Sequence, residues 1–183
     1  RGTSTRSARS TSPSPASTDG WISTKGHPRW DAIPFAKVVF PVPGGPKRTI
    51  AFGGPVVPDE RRAPVLDALG ISSASLHPAC PMQVMSKWNS RLLIGLNSPE
   101  ALESLQPNMQ ALIHLTPHVG ADGFFVFALR PDGDPLTTES RMFCPMIGVP
   151  EDPVSGNAHG MLGVYLVHHG LLASNGHPAR LIG

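Results

Sequence analysis

Residues 151–160 read Glu-Asp-Pro-Val-Ser-Gly-Asn-Ala-His-Gly, and the next stretch, 161–167, is almost wholly apolar. No other feature restricts the fold as much. A helix-length run with no polar face has to be buried on all sides. Asp152 stands before a proline, which pushes its backbone to an extended conformation. Ser155, Gly156 and Asn157 supply a turn and a helix N-cap. The spacing predicts a helix over 158–169, with Gly170 as its stop. A carboxylate, a hydroxyl, a glycine and a carboxamide thus crowd the mouth of a buried helix. The free backbone N–H groups of such a mouth form an anion site, which suits a small carboxylate ligand.

The rest of the chain reads as short strands and short helices. Residues 36–40 and 48–52 look like two strands around the turn Pro43-Gly44-Gly45-Pro46. Pro64 fits the first turn of a helix that ends at Gly70. Strands are predicted over 82–85 and 92–96. Ser98-Pro99-Glu100 is a helix start with a cap, a proline at the first helical position and an acid in the first turn. A second helix comes after Pro107 and carries Met109, Leu112, Ile113 and Leu115. Residues 123–129 form a strongly β run, Pro131-Asp132-Gly133-Asp134-Pro135 is a turn, and 138–143 returns as a strand. This order predicts an α+β fold with a mostly antiparallel sheet and one buried central helix.

Charge and cysteine usage exclude several classes. The formal charge of +2 is unevenly spread. Residues 1–30 hold five basic groups and one acid, net +4, so the remainder holds ten basic and twelve acidic groups, net −2. The ordered part therefore has no nucleic-acid footprint. Two cysteines, Cys80 and Cys144, make no disulfide framework in 183 residues, and a reducing, cytoplasmic setting is the simpler expectation. No CxxC or HExxH spacing occurs, so no metal site is expected. No apolar run approaches membrane length. Residues 1–18 are dominated by Ser and Thr, a disordered or linker composition that an Arg- and Ser-rich transit peptide would also show. The expected division is a low-complexity segment over 1–32 and a folded domain over 33–183.

Ser140-Arg141-Met142-Phe143 through Gly148, continued by Glu151-Asp152-Pro153-Val154-Ser155-Gly156-Asn157-Ala158-His159-Gly160, resembles the phenazine-biosynthesis PhzF-like isomerases. Asp67-Ala68-Leu69-Gly70-Ile71, Leu105-Gln106-Pro107-Asn108, Gly123-Phe124-Phe125-Val126-Phe127 and Leu166-Val167-His168-His169-Gly170-Leu171 fall in family order around it. The resemblance implies a diaminopimelate-epimerase-like fold: two similar domains, each an antiparallel-rich sheet wrapped around a central buried helix, with the active site between them and homodimers usual. It implies isomerisation or epimerisation of a small carboxylate metabolite by acid/base proton transfer, with no cofactor. The family's Ser-Glu-Thr segment, which carries its catalytic Glu, is not found in residues 1–183. Gly26-His27-Pro28 is a partial echo of a second family motif and is read as a chance match. The chain is therefore expected to represent mainly the second of the family's two domains.

On this basis Asp152 is the candidate catalytic group, and Ser155, Gly156, Asn157, Ala158 and His159 are candidate substrate-binding residues. Each has a plainer reading. Asp152 would then only bond its own turn, as Asx residues do; Ser155 to Asn157 would only cap the helix; His159 would be a satisfied, partly buried histidine. A two-thiol mechanism through Cys80 and Cys144 is disfavoured, because the helix mouth reads Ser-Gly-Asn. Cys144 is expected in the core, and Met109, Met142, Met146 and Met161 are read as packing. The rival to the enzyme reading is a catalytically inert chain acting as a binding or interaction module.

Overall fold

Among the described residues, a sheet of eight strands organises the fold. The computed structural model describes residues 37–40, 48–86, 89–130, 136–172 and 181–182, all within the unit Ile33–Gly183. The turns expected at 43–46 and 131–135, the segment 1–32 and the Gly26-His27-Pro28 echo lie outside the described residues.

The strands are β1 (Lys37–Phe40), β2 (Arg48–Val56), β3 (Gln83–Ser86), β4 (Ser90–Leu96), β5 (Phe124–Arg130), β6 (Leu136–Cys144), β7 (Val149–Asp152) and β8 (Leu181–Ile182). The first seven lie side by side in sequence order, and β8 joins β6. Pairing is antiparallel except for β4 with β5 and β6 with β8. The fold is thus α+β with a mixed, mainly antiparallel sheet. The helix α1 (Arg62–Leu69) ends at Gly70, whose φ of 72° is the left-handed geometry that glycine adopts without strain. The parallel β4–β5 step is bridged by α2 (Pro99–Glu103) and α3 (Met109–Val119), as a parallel pair requires a crossover. These two helices begin as the sequence predicts. Ser98 Oγ accepts from Ala101 N–H at 3.2 Å with Pro99 in the first turn, and Asn108 Oδ1 accepts from Ala111 N–H at 3.1 Å.

Alternation along the strands sorts side chains onto two buried faces. One face carries Met85, Leu93, Phe125, Phe127, Met142 and Cys144, and α4 (Gly156–His168) packs on it through Ala158, Met161, Leu162, Val164, Tyr165 and Leu166. Every one of these is essentially inaccessible, so the apolar run is buried as expected. The opposite face meets α2: Arg141, which alternates with Met142, donates to the carbonyls of Leu102 (3.4 Å) and Leu105 (3.1 Å). Burial on both faces explains why β4 is buried at all seven positions and reads as a continuous apolar run.

Three expectations need correction. The helix predicted from residue 158 begins two residues earlier, at Gly156, so Gly156 and Asn157 belong to its first turn rather than to a preceding one. The first turn needs no intrahelical N–H bond, which removes much of the penalty against glycine there. The strands β7 and β8 have no counterpart among the predicted elements. β7 contains Pro150 and Glu151 and is largely exposed, which is possible because proline is tolerated at an edge. Met146 is not packing: it stands 46% exposed in the 3-10 turn Pro145–Ile147, where the chain reverses between β6 and β7.

Candidate functional site

The hairpin β6–β7 and the start of α4 place the motif. Asp152 ends β7 opposite Met142, so its side chain shares the face on which α4 packs. Its Oδ1 accepts from Val154 N–H at 3.2 Å, the Asx turn that carries the chain around Pro153 and leaves Oδ2 free of that bond. Ser155 is the N-cap residue, but its side chain makes no capping bond. The helical ladder opens with His159 N–H to Ser155 O at 3.0 Å. The amides of Gly156, Asn157 and Ala158 therefore have no partner within the helix. A Cβ placed on Gly156 would meet nothing within 4 Å, so the ground above the helix start is open. Ala158 is fully buried in the core, so neither its side chain nor its amide faces that open space.

His159 is held on both ring nitrogens. Nδ1 lies 2.9 Å from Ser155 O, and because a carbonyl only accepts, Nδ1 carries the proton. Nε2 then accepts from Ser140 Oγ at 3.2 Å. The ring also stands edge-on to Phe125, 5.3 Å between centroids. The Ser140 contact ties the first turn of α4 to the middle of β6.

A cavity of about 380 Å³ adjoins this region. Among the described residues β7 pairs with β6 at Met142 and Cys144 and β8 pairs with it at Leu136 and Thr137, and the cavity lies along the stretch of β6 between them. Glu139, Ser140, Arg141, Pro153, Val154 and His159 line it. Of the residues predicted from sequence only His159 does so, and Asp152, Ser155, Gly156 and Asn157 lie outside it. Two ion pairs flank this cavity. Arg141 grips Glu151 with two bonds, Nε to Oε1 at 2.8 Å and Nη2 to Oε2 at 3.0 Å, which holds the Glu151 carboxyl below its ordinary value. Arg130 pairs with Glu139 at the rim.

Burial disfavours the thiolate at both cysteines. Burial pushes Cys80 up to about 11, with the neighbouring Tyr165 hydroxyl only partly offsetting it. Burial also raises Cys144, against the pull of Arg91 and with the push of Asp152 and Asp122. Both cysteines are free and buried, Cys144 in the core as expected. Sequence reasoning missed Ser140, whose link to the motif spans 19 residues with no local pattern. Among the described residues no helix is long and apolar enough to cross a membrane.

An α+β fold that sets a Glu-Asp-Pro turn against the start of a buried helix defines a class, and sequence comparison supplies its name. The chain belongs to the phenazine biosynthesis-like (PhzC-PhzF) family, whose profile matches residues 42–180. It is 39% identical over 133 residues to the uncharacterized isomerase YddE of Salmonella typhimurium, which covers 73% of this chain and 44% of that protein. It is 34% identical over 122 residues to the trans-2,3-dihydro-3-hydroxyanthranilate isomerase of Pseudomonas fluorescens, covering 67% and 39%. Among solved structures it is similar to a predicted epimerase of Pseudomonas aeruginosa, with a TM-score of 0.53 and 27% identity over 69% of this chain and 41% of that one. The chain thus spans about two fifths of the length of the relatives it matches.

Proposed function

We propose that this chain supplies the substrate-holding part of an isomerase or epimerase that moves a proton on a small carboxylate metabolite, without metal or organic cofactor. The observation that carries the reading is the start of α4, where Gly156 and Asn157 leave amides without helical partners, with open space at Gly156, directly after Asp152-Pro153-Val154. A substrate carboxylate accepts from those amides, where the helix dipole favours negative charge. The Ser155 hydroxyl and the Asn157 carboxamide add side-chain contacts. Asp152, through Oδ2, orients the substrate or shares its proton, and His159 fixes the helix turn that does the binding. The isomerase names of the relatives support the reaction class.

Proton transfer needs an acid/base within hydrogen-bond reach of the proton it moves. The family's Ser-Glu-Thr segment does not occur in residues 1–183, so this reading puts the partner Glu in a segment outside them, on a second domain that closes over the helix mouth. The sheet curving around α4 in the manner of diaminopimelate epimerases, the two-domain arrangement with residues 1–32 outside it, a homodimer and a cytoplasmic location belong to the same proposal. The competing reading is a non-catalytic interaction module. The exposed apolar residues beside β7, Ile147 at 61% and Val154 at 79%, favour it.

The test fuses a family N-terminal domain ahead of residue 33 and monitors deuterium uptake from solvent into small carboxylates with an acidic C–H. The fusion should exchange, and Asp152→Asn should slow it by about 10²–10⁴-fold. Exchange by the unfused chain, abolished by Asp152→Asn, would make Asp152 itself the acid/base. No exchange and no carboxylate binding by either protein would leave the interaction module.

A further inference from the structure

Ser140 on β6 and His159 in the first turn of α4 stand as a hydroxyl and its base. The Nδ1 proton of His159 is committed to the Ser155 carbonyl at 2.9 Å. Nε2 therefore holds the lone pair, and the Ser140 hydroxyl donates to it at 3.2 Å. A serine bonded to the basic nitrogen of an imidazole, whose other nitrogen is held by a third group, is the arrangement that activates a hydroxyl nucleophile. The ring is also fixed edge-on against Phe125, 5.3 Å between centroids, so the base stays aimed at Ser140.

Both residues are half-buried and both line the cavity of about 380 Å³, a volume within the roughly 300–1,000 Å³ of small-molecule sites. Leu102, Pro153 and Val154 give it apolar walls. Among the described residues no strand pairs with β6 between Thr137 and Met142 on this side. Backbone amides along a paired strand turn alternately to its two edges, so this bare stretch offers N–H groups to a carbonyl oxygen that gains charge. The charges select the ligand. Arg141 and Arg130 are spent on Glu151 and Glu139. Exposed Glu103 also lines the cavity and has no ion-pair partner among the described residues. The cavity thus repels anions and suits a neutral molecule, unlike the start of α4, whose Gly156 and Asn157 lie outside it.

We propose that Ser140 is an acyl acceptor and His159 its general base, which gives this chain an esterase activity toward small neutral esters, independent of the isomerase reading above. The Ser140 Oγ forms a bond to the ester carbonyl carbon as its proton passes to His159 Nε2. The carbon–oxygen bond to the alcohol then breaks, and His159 returns that proton to the leaving oxygen. Water, giving a proton to the same Nε2, cleaves the acyl-serine; the carboxylic acid leaves and Ser140 takes the proton back. The group that orients His159 is a carbonyl and not a carboxylate, so the imidazolium formed on the way is stabilised less than in a full triad and turnover is slow.

The test incubates the 183-residue chain with p-nitrophenyl acetate, follows release of p-nitrophenol and locates the acetyl group by peptide mass spectrometry. Ser140 should carry it. His159→Gln, which keeps a polar side chain without the base, should slow acetylation of Ser140 by about 10²–10⁴-fold. Should that variant not fold, the wild type unfolded in urea reports independently, because it keeps the serine, loses the pair and should leave Ser140 bare. The anionic mono-p-nitrophenyl succinate should acylate Ser140 more slowly than the acetate, and equal rates would overturn the selectivity for neutral esters. Acetyl groups on other residues with Ser140 unmodified in the native chain, or equal modification of Ser140 in native and unfolded chains, would overturn the activity itself. Either outcome would leave the isomerase reading untouched, since that rests on the start of α4.

Discussion

Leu162→Ala is the sharpest probe of the architecture. Leu162 is fully buried on α4, in the cluster that joins the helix to Phe125, Phe127 and Met142. The substitution removes three carbons, each worth about 0.8 kcal/mol of transfer free energy, so the transfer loss alone is roughly 2.4 kcal/mol. The site cannot close fully, because the sheet face beneath the helix is held by strand pairing on both sides. Every 10 Å³ of cavity that stays open adds about 0.24 kcal/mol. The expected cost is therefore about 3–4 kcal/mol, within the range seen for leucine truncation in cores. Urea denaturation gives the value directly, and an unchanged slope would confirm that the unfolded state is unaffected. Val154→Ala is the control, since Val154 is 79% exposed and should change stability by less than about 0.5 kcal/mol. A Leu162→Ala cost as small as that of Val154→Ala would refute the claim that α4 is the buried centre of this sheet face.

Gly123→Ala should lower Tm, since its Cβ would sit 2.3 Å from Cys144 Sγ and 2.9 Å from Phe143 O, an overpacking worth about 1–3 kcal/mol. Adding Cys144→Ala should recover part of the loss, and no recovery would mean that the backbone contact dominates. The Arg141 bonds hold Glu151 below its ordinary 4.5, and a depressed carboxyl gives stability present above its unfolded value and lost as pH falls through its folded one. Glu151→Gln should therefore flatten the acid side of the stability profile below about pH 4.5, and an unchanged profile would show that the pair contributes nothing. Because Cys80 is pushed up to about 11 and Cys144 is raised and buried, a disulfide reagent at neutral pH should label the native chain only at the rate at which it opens. Fast labelling of either thiol would contradict its burial.

What could be read in the sequence was local and periodic. The apolar run of α4, the stop at Gly170, the cap Ser98 and the β-rich 124–129 each carry their own signal within a few residues. The edge strand β7 carries none, because Pro150 and Glu151 are ordinary there only by virtue of a partner on one side. The true helix start is hidden because Gly156 reads as a turn residue, while its place as the first helical residue depends on the packing of the apolar run downstream. The site divides in the same way. The Asp152-to-His159 motif is contiguous and visible, whereas Ser140 reaches His159 from 19 residues away.

The helix α4 ties back to strands made long before it. Tyr165 donates to the carbonyl of Pro81 across 84 residues, at 2.8 Å, and His169 reaches Gln83 across 86. Until α4 leaves the ribosome, Met85, Leu93 and Phe125 have nothing to cover them on that side. At about 5–20 residues per second, the interval between the synthesis of Pro81 and that of Tyr165 is roughly 4–17 s. During it the nascent sheet shows a bare apolar face, and premature termination anywhere before residue 160 would fix that exposure permanently. Expression should therefore depend on elongation speed between Pro81 and Tyr165 and on chaperone supply.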